Sequence, residues 1–178
     1  MNDDIDRDLP MDVADALRDA GDTLAVAESC TGGLVGAAIT AVPGASDYFD
    51  SGLTTYAYDA KRHHLGVSRE ALDEHGAVSE PVAREMARGV RDVADVTWGV
   101  SVTGVAGPTG GKEGTPVGTI YIGVAYAGPW GSESSYATVS RYEFEGDRAA
   151  VRAQTVEQAL EDLLRELESQ REHERERE

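Results

Sequence analysis

Short apolar runs alternate with amphipathic segments along the chain, and this alternation predicts strands separated by helices. Helices are predicted over residues 9–20, 32–42, 59–66 and 68–74, and in segments that open at 79 and 147. Strands are predicted over residues 23–28, 51–58, 97–103, 117–127 and 135–145. In the helix that opens at Ser79, the predicted buried stripe consists of Val82, Met86, Val90 and Val93. The chain is therefore expected to be of the α/β class.

The order of the elements indicates a three-layer α/β/α sandwich. Helices separate the first three strands, which is typical of parallel pairing, whereas a short Gly-Pro-Trp-Gly connection joins the last two strands. We expect a mixed, mostly parallel sheet with an antiparallel extension. The apolar face of the last helix ends at Leu167, so one domain is expected over residues 1–168, followed by a charged, solvated tail over residues 169–178.

The composition is strongly acidic. Asp and Glu number 33 against 16 Lys and Arg, which gives a formal net charge of −17. This charge disfavours nucleic-acid backbones and anionic membranes as partners. Lysine occurs only at Lys61 and Lys112, and the apolar residues are mostly small Ala and Val. Together these features suggest a high-salt cytoplasm, in which a strongly acidic surface stays hydrated and screened.

Cys30 is the only cysteine, which excludes an intrachain disulfide and a cysteine-rich metal site. Because nothing nearby in sequence offers it a histidine partner, it is expected to be a small packed residue. The acidic first eight residues lack the basic start and apolar stretch of a signal peptide, and no apolar run reaches the length of a membrane span. We therefore expect a soluble cytoplasmic protein.

The first strand ends in a turn of small residues, Ser29-Cys30-Thr31-Gly32-Gly33, before the next helix begins. Unpaired N–H groups at the start of a helix can hold negative charge, so this turn could combine a hydroxyl nucleophile with an oxyanion site. Ser, Thr and Gly after a strand are also typical of an ordinary capped loop. The turn alone does not decide between the two interpretations.

Lys61 is a candidate general base, because a chain that uses arginine almost everywhere keeps an amine here. Arginine does not lose its proton in proteins, whereas burial in a cleft lowers the pKa of a lysine from about 10.4 toward neutrality. Lys61 could then take the proton of the Ser29 hydroxyl, with Tyr56 relaying or positioning that proton. The alternative is a surface lysine whose ammonium lies in water.

A glycine-rich loop over residues 104–116 follows the third strand. It is not a nucleotide-binding P-loop, because Ala106 stands where the first glycine is required and Glu113 where a Mg²⁺-binding Ser or Thr is required. The loop could cradle one phosphate or carboxylate with its N–H groups, or be a plain connection. His63 and His64 are adjacent on a helix and point about 100° apart, so they are expected as a surface pair rather than a metal site.

Segments in a fixed order along the chain carry a resemblance to a known family. They are residues 27–33 (AESCTGG), 42–46 (VPGAS), Tyr56 with Lys61, 76–79 (GAVS) and 102–108 (VTGVAGP). In this order they resemble the CinA C-terminal domain family, whose characterised members are nicotinamide-nucleotide amidases of the PncC type. The resemblance covers residues 9–167 and does not include the N-terminal molybdopterin-binding-like domain of full-length CinA proteins. The chain is thus expected to be similar to the stand-alone amidase form.

The resemblance implies hydrolysis of the carboxamide of nicotinamide mononucleotide to nicotinate mononucleotide and ammonia, without a metal or cofactor. It places the family's serine nucleophile on Ser29, its lysine on Lys61 and its tyrosine on Tyr56. The implied oxyanion and substrate-binding residues are Cys30, Thr31, Gly32, Gly33, Thr103, Gly104, Gly107 and Arg148. Arg152, one helical turn after Arg148, is the alternative for the substrate-binding arginine.

Two departures from the family pattern concern the substrate. Family members usually have Tyr-Ser-Asn-x-x-Lys between the tyrosine and the lysine, whereas this chain has Tyr-Ala-Tyr-Asp-Ala-Lys. The second departure is Lys112-Glu113 in the glycine-rich loop, a region that varies in length among relatives. Residues 104–111 of that loop are the expected seat of the ribose 5′-phosphate.

Other functions stay open on the sequence. A non-catalytic member of this family could sense a pyridine nucleotide in the same cleft, and a kinase-like nucleotide enzyme would need Mg²⁺-dependent turnover. The pathway, pyridine-nucleotide salvage or clearance of the mononucleotide after DNA repair, is also open. The expected partners are a small nucleotide substrate and further copies of the chain, because the resemblance implies a homo-oligomer. Candidate interface residues are Tyr48, Phe49 and Trp130.

Overall fold

The structure is a computed structural model that describes residues 8–177. The helices are α1 (Leu9–Ala20), α2 (Leu34–Thr40), α3 (Tyr58–Leu65), α4 (Arg69–His75), α5 (Glu80–Ala94) and α6 (Arg148–Arg175). The strands are β1 (Leu24–Glu28), β2 (Phe49–Thr54), β3 (Trp98–Gly104), β4 (Thr119–Tyr126) and β5 (Tyr136–Glu143). Each strand and helix predicted from the sequence is present, with its ends displaced by a few residues.

The strands form one five-stranded sheet in the order β2-β1-β3-β4-β5. β1 pairs in parallel with β2 and β3, whereas β4 is antiparallel to both β3 and β5. This arrangement confirms the predicted mixed sheet with its antiparallel extension. The carboxyl ends of the three parallel strands meet at one edge, where Glu28 is in register with Thr54 and Val102. A ligand site in such a sheet is expected beyond that edge.

Helices cover both faces of the sheet, as the α/β/α prediction requires. α1, α2 and α6 pack on one face over a core that includes Leu17, Leu24 and Trp98. α3, α4 and α5 pack on the other face over a smaller core that includes Met86 and Val90. α5 lies close to the sheet, because the Ser101 hydroxyl donates to Ala83 O at 2.6 Å.

Two sequence predictions about buried side chains are wrong. Val93 is 64% exposed, because the buried stripe of α5 advances by four residues from Val90 to Ala94, which packs on the core. Tyr48 is only 2% exposed, so it does not line an interface on the surface of the described chain. Trp130, in contrast, is completely exposed in the connection between β4 and β5.

The boundary between β2 and α3 also differs from the prediction. The strand ends at Thr54, four residues earlier than the alternating pattern suggested, and α3 begins at Tyr58. Thr55 N still donates to Glu28 O at 2.8 Å, so the chain leaves the sheet only after residue 55. This early turn brings the following helix, and Lys61 with it, back over the end of β1.

Helix α6 is longer than the sequence suggested. It continues through Arg175, across the segment expected to be a solvated tail, and Arg171 forms an ion pair with Asp19 of α1 at 3.5 Å. Within residues 8–177, no helix combines the length and apolar character that a membrane span requires.

Candidate active site

The loops that follow β1, β2 and β3 converge at the carboxyl edge of the sheet around a cavity of about 270 Å³. Most of the residues proposed from the sequence line this cavity: Ser29, Cys30, Tyr56, Lys61, Thr103, Gly104, Gly107 and Arg148. Thr31, Gly32 and Gly33 do not line it and lie in the turn behind Ser29. Two larger clefts of about 600 Å³ lie around Tyr136 and around Trp130, away from the Ser29–Lys61 pair.

Ser29 and Lys61 are in direct contact although they are 32 positions apart in the chain. Lys61 Nζ lies 2.9 Å from Ser29 Oγ and donates to two carbonyl oxygens, Thr55 O at 2.6 Å and Tyr56 O at 3.1 Å. Ser29 is held at the end of β1 because its N–H donates to Val102 O of β3 at 3.0 Å. The hydroxyl and the amine are thus fixed relative to one another by two elements of the fold.

The side chain of Lys61 is completely buried. Burial disfavours the charged amine and lowers the pKa of Lys61 from its ordinary value of 10.5 to about 8. No described carboxylate forms an ion pair with this amine. A lysine in this environment is neutral in a substantial fraction of molecules at mildly alkaline pH, and a neutral amine can accept a proton.

The turn that carries Ser29 requires its two glycines. Gly32 and Gly33 have φ values of +59° and +106°, which side chains rarely adopt. Gly32 N donates to Ser29 O at 3.1 Å, so its N–H group is already paired. Among the described residues of this turn, the N–H groups of Cys30, Thr31 and Gly33 donate to no carbonyl oxygen. Of these three groups, only that of Cys30 belongs to a residue that lines the cavity, so its N–H is the oxyanion donor that the turn can offer.

Cys30 is buried, as its sequence context predicted. Burial raises the pKa of its thiol to about 11, so the thiol stays protonated and weakly nucleophilic near neutral pH. Ser29, which contacts the amine of Lys61, is the better placed nucleophile of the two neighbours.

Glu28 is a residue of this site whose role the sequence did not indicate. Its carboxylate is 1% exposed. Oε1 accepts from Thr31 Oγ1 at 2.7 Å and from Val35 N at 2.8 Å, and Oε2 accepts from Gly36 N at 3.1 Å. The N–H groups of the second and third residues of α2 are thus paired with an internal carboxylate. No periodic pattern marks such a residue, because its partners come from a helix that begins six positions later.

Tyr56 contributes to the site through its backbone as well as its ring. Its carbonyl oxygen is one of the acceptors of Lys61, whereas its side chain is 62% exposed at the cavity mouth. The Tyr56 hydroxyl accepts a hydrogen bond from Arg148 Nη2 at 3.4 Å and makes none with Ser29 or Lys61.

The two candidate arginines, both on α6, have different environments. Arg148 lines the cavity, and its Nη1 donates to Gly107 O of the glycine-rich loop at 2.8 Å. Arg152 does not line the cavity, and its Nη2 donates to Thr31 O at 3.0 Å behind the nucleophile turn. Only Arg148 is therefore placed to meet a ligand in the cavity.

The residues at the end of β3 and in the loop after it line the cavity and are also required by the local packing. Thr103 is buried and its hydroxyl donates to Ala77 O at 2.8 Å. A Cβ at Gly104 would stand 2.6 Å from Thr119 O, so only glycine allows β3 to approach the start of β4. Gly107 has a φ of +87° and is tightly packed against Val117.

Two lining residues, Ala77 and Val78, were not proposed from the sequence. The lining also includes Val105, Ala106, Thr109 and Gly110 of the loop segment expected to hold the phosphate. The ammonium of Lys112 lies nearby, 3.8 Å from where a Cβ of Gly76 would stand. No group of three or more His, Cys, Asp or Glu side chains within residues 8–177 has the geometry to hold a metal ion, and His63 and His64 are exposed as predicted.

The fold and the cavity together define a three-layer α/β/α domain with a buried Ser–Lys pair at the carboxyl ends of its parallel strands. A sequence profile of the CinA C-terminal domain matches residues 6–167, and the chain belongs to this family. The resemblance found in the ordered motifs is thereby confirmed.

Curated relatives bear the same family name. The chain is 49% identical over 153 residues to a CinA-like protein of Anaeromyxobacter dehalogenans and 47% identical over 155 residues to one of Geobacter sulfurreducens. These alignments cover 86% and 87% of this chain and 36% of each relative. The chain therefore spans about a third of the length of the curated relatives it matches.

Solved structures of the CinA superfamily have the same fold. A Klebsiella pneumoniae protein superimposes with a TM-score of 0.84 at 37% identity, covering 90% of this chain and 96% of that chain. An Escherichia coli protein superimposes with a TM-score of 0.80 at 34% identity, covering 92% of each chain. The α/β/α architecture is thus common to these proteins.

Proposed function

We propose that this domain is an amidohydrolase that cleaves the carboxamide of nicotinamide mononucleotide to nicotinate mononucleotide and ammonia. The observation that carries the proposal is the 2.9 Å contact between Ser29 Oγ and the buried amine of Lys61. A serine is a weak nucleophile until a base takes its proton, and a desolvated lysine is such a base. Membership in the CinA family supports the same reaction.

The hydrogen bonds around Lys61 suit a proton acceptor. A neutral amine has two N–H groups and one lone pair. The carbonyl oxygens of Thr55 and Tyr56 accept from the two N–H groups, which leaves the lone pair for the Ser29 hydroxyl. Lys61 would take that proton as Ser29 Oγ attacks the carboxamide carbon.

The later steps follow from the same two groups. The oxygen of the tetrahedral intermediate would accept a hydrogen bond from the N–H group of Cys30, which lines the cavity and has no carbonyl acceptor in the described chain. Lys61 would return its proton to the nitrogen as the C–N bond breaks and ammonia leaves. Water, deprotonated by Lys61, would then hydrolyse the ester on Ser29 and release the carboxylate product.

The cavity mouth supports an anionic, aromatic substrate. Besides Lys61, the lining contains the permanent cation Arg148, and Lys112 lies beside the Gly76 turn in a protein that carries a net charge of −17. We assign the 5′-phosphate to the glycine-rich loop between these two cations, where N–H groups are plentiful. The exposed ring of Tyr56 can then pack on the pyridinium ring, since a cationic ring is attracted to an aromatic face.

Ammonia release from nicotinamide mononucleotide tests the proposal. Ser29→Ala and Lys61→Ala are each expected to lower kcat/KM by about a thousand-fold or more, because each removes half of the nucleophile–base pair. Lys61→Arg should be equally inactive, since arginine keeps the charge but cannot act as a base. His63→Ala, at an exposed position on the same helix as Lys61, is the matched control and should retain activity. The kcat of the parent protein should rise with pH through about 8, as Lys61 loses its proton.

The outcomes separate the candidate functions. Retained activity in both Ser29→Ala and Lys61→Ala would contradict the Ser–Lys assignment. Binding of the mononucleotide without ammonia release would favour a sensing domain, and turnover that requires Mg²⁺ would favour a kinase-like enzyme. A small panel of other carboxamides, assayed in the same way, defines the substrate.

A further inference from the structure

Two charged groups, the buried Glu28 carboxylate and the half-buried Arg152 guanidinium, hold the turn that carries Ser29 from two sides. On one side, the Glu28 carboxylate accepts from the Thr31 hydroxyl and from the N–H groups at the start of α2. On the other side, Arg152 Nη2 of α6 donates to Thr31 O at 3.0 Å. Thr31 is thus fixed through its side chain and its backbone together, two positions after Ser29.

Neither charged group faces the cavity. Glu28 is 1% exposed and all three of its hydrogen-bond donors lie within the turn and α2. The Nε of Arg152 is buried without a hydrogen-bond partner among the described residues. In the conformation that brings its Nη2 to Thr31 O, the side chain therefore leaves one N–H group without an acceptor. A buried polar atom left unpaired is unfavourable, and such a cost is typical of residues held in place for function.

The position of Glu28 also restricts what the turn can bind. Because Val35 N and Gly36 N donate to Glu28, these N–H groups of α2 are not available to a substrate phosphate. The N–H groups of the turn without a carbonyl acceptor are those of Cys30, Thr31 and Gly33, and of these residues only Cys30 lines the cavity. Cys30 lies between Ser29 and Thr31, in the segment that Glu28 and Arg152 hold. The turn is therefore built to present an oxyanion donor rather than to bind the anionic end of a nucleotide.

We propose that Glu28 and Arg152 are positioning residues that, by fixing Thr31, hold the adjacent N–H group of Cys30 in the orientation required to stabilise the reacting oxyanion. This inference rests on the proposed amidohydrolase function. A displacement of about 1 Å in such a donor can lower a rate by about a hundred-fold, even when the chemistry-bearing side chains are intact. Glu28 and Arg152 then affect the reaction without touching the substrate.

Glu28→Gln tests the carboxylate, because glutamine keeps the size of the side chain. Its amide has one oxygen and one NH₂ group, so it cannot accept from Thr31 Oγ1, Val35 N and Gly36 N in the present arrangement. We expect kcat to fall by about ten- to a hundred-fold while KM changes by less than about threefold. The pH midpoint of kcat should stay where it is in the parent, because burial of Lys61 sets that midpoint.

Thr31→Val replaces the hydroxyl that donates to Glu28 with a methyl group of similar size. Arg152→Met removes the guanidinium that donates to Thr31 O and keeps an unbranched side chain. Each should lower kcat with little change in KM, and Thr31→Ser, which keeps the hydroxyl, should restore most of the activity lost in Thr31→Val. Glu70→Gln, an exposed residue of α4, removes the same charge as Glu28→Gln and should behave as the parent does. If Glu28→Gln does not fold, as judged by far-UV circular dichroism, the Thr31 and Arg152 variants still test the positioning role.

A second measurement separates this inference from the proposed function. A fluorophosphonate reacts with an activated serine whatever the natural substrate is, forming an Oγ–P bond as fluoride leaves. We expect Ser29 to be labelled at least about tenfold more slowly in Glu28→Gln and Arg152→Met than in the parent and in Glu70→Gln. If the parent is labelled but releases no ammonia, the substrate assignment fails and the positioning role stands. Unchanged kcat and unchanged labelling in these variants would overturn the positioning role.

Discussion

At the scale of single residues, Tyr56 shows how a backbone atom can carry a role expected of a side chain. Its carbonyl oxygen accepts from Lys61, and any residue at this position could supply that oxygen. Its hydroxyl contacts Arg148 and lies outside the Ser29–Lys61 hydrogen bonds. A proton relay through the phenol, the expectation from the sequence, would need a contact that this arrangement lacks.

Replacing Tyr56 separates the two roles. Tyr56→Phe keeps the carbonyl and the ring, so kcat/KM for ammonia release should fall by less than about tenfold. Tyr56→Ala also removes the ring and should raise KM more than it lowers kcat, because the proposed stacking on the pyridinium would be lost. A loss in Tyr56→Phe as large as that in Lys61→Ala would instead place the hydroxyl on the proton path.

The pKa of Lys61 also makes a prediction about stability. An unfolded chain holds this amine in water with a pKa of 10.5, whereas burial lowers it to about 8 in the folded protein. Between these two pH values the unfolded state binds more protons than the folded state. The contribution of Lys61 to the free energy of unfolding therefore increases as the pH rises. Below pH 8 both states are protonated and the contribution is constant.

A comparison with Lys61→Met isolates this contribution, since other titrating groups are common to both proteins. The free energy of unfolding of the parent, measured relative to the variant by urea denaturation, should be flat below about pH 8 and increase from there to about pH 10. A relative stability that falls with pH over this range would mean that the folded protein favours the charged amine.

At the scale of elements, the sequence predicted much of the fold because periodic patterns mark each strand and helix. Of the two helix caps expected from the sequence, Asp147 accepts from Ala150 N at the start of α6. Ser79, at the start of α5, makes no capping hydrogen bond, because its hydroxyl donates to Gly76 O. The predicted end of β2 is too late, because residues 56–58 continue the alternating pattern although the backbone turns toward α3 after Thr55. Local alternation does not report where a chain leaves the sheet.

The parts of the site that the sequence missed depend on contacts between distant elements. Glu28 has a role only because α2 begins above it, and Ala77 lines the cavity only because the loop before α5 contacts β3 through Thr103. The sequence does not distinguish Arg148 from Arg152, because their roles depend on the orientation of α6, which directs Arg148 toward the cavity and Arg152 toward Thr31. Motif spacing carries no information about such orientations.

Helix α6 ties the site to the rest of the molecule. Its first turns supply the two arginines, and further along the buried Asp162 accepts from the Tyr142 hydroxyl of β5 at 2.8 Å. The same helix packs on α1 and carries the ion pair between Arg171 and Asp19. The orientation of the arginines is therefore coupled to the packing of a long helix on the whole sheet face.

At the scale of the whole molecule, the net charge of −17 is the dominant electrostatic feature. Exposed carboxylates repel one another across the surface, for example Glu157 and Glu161, which lie one turn apart on α6. Such repulsion lowers the free energy of unfolding at low salt and is screened as the Debye length falls from about 10 Å at 0.1 M to about 3 Å at 1 M. The acidic surface is thus suited to a high-salt environment.

Thermal unfolding in KCl tests this. Between about 0.1 M and 2 M KCl we expect Tm to rise by at least about 3 °C, which for a chain of this length corresponds to a stabilisation of about 1 kcal/mol. The double variant Glu157→Gln/Glu161→Gln should be more stable than the parent at low salt and should gain less from KCl, because it starts with less repulsion. Equal gains in both proteins would attribute the effect to general salting-out, and a parent whose Tm is already maximal at 0.1 M would contradict adaptation of the surface to salt.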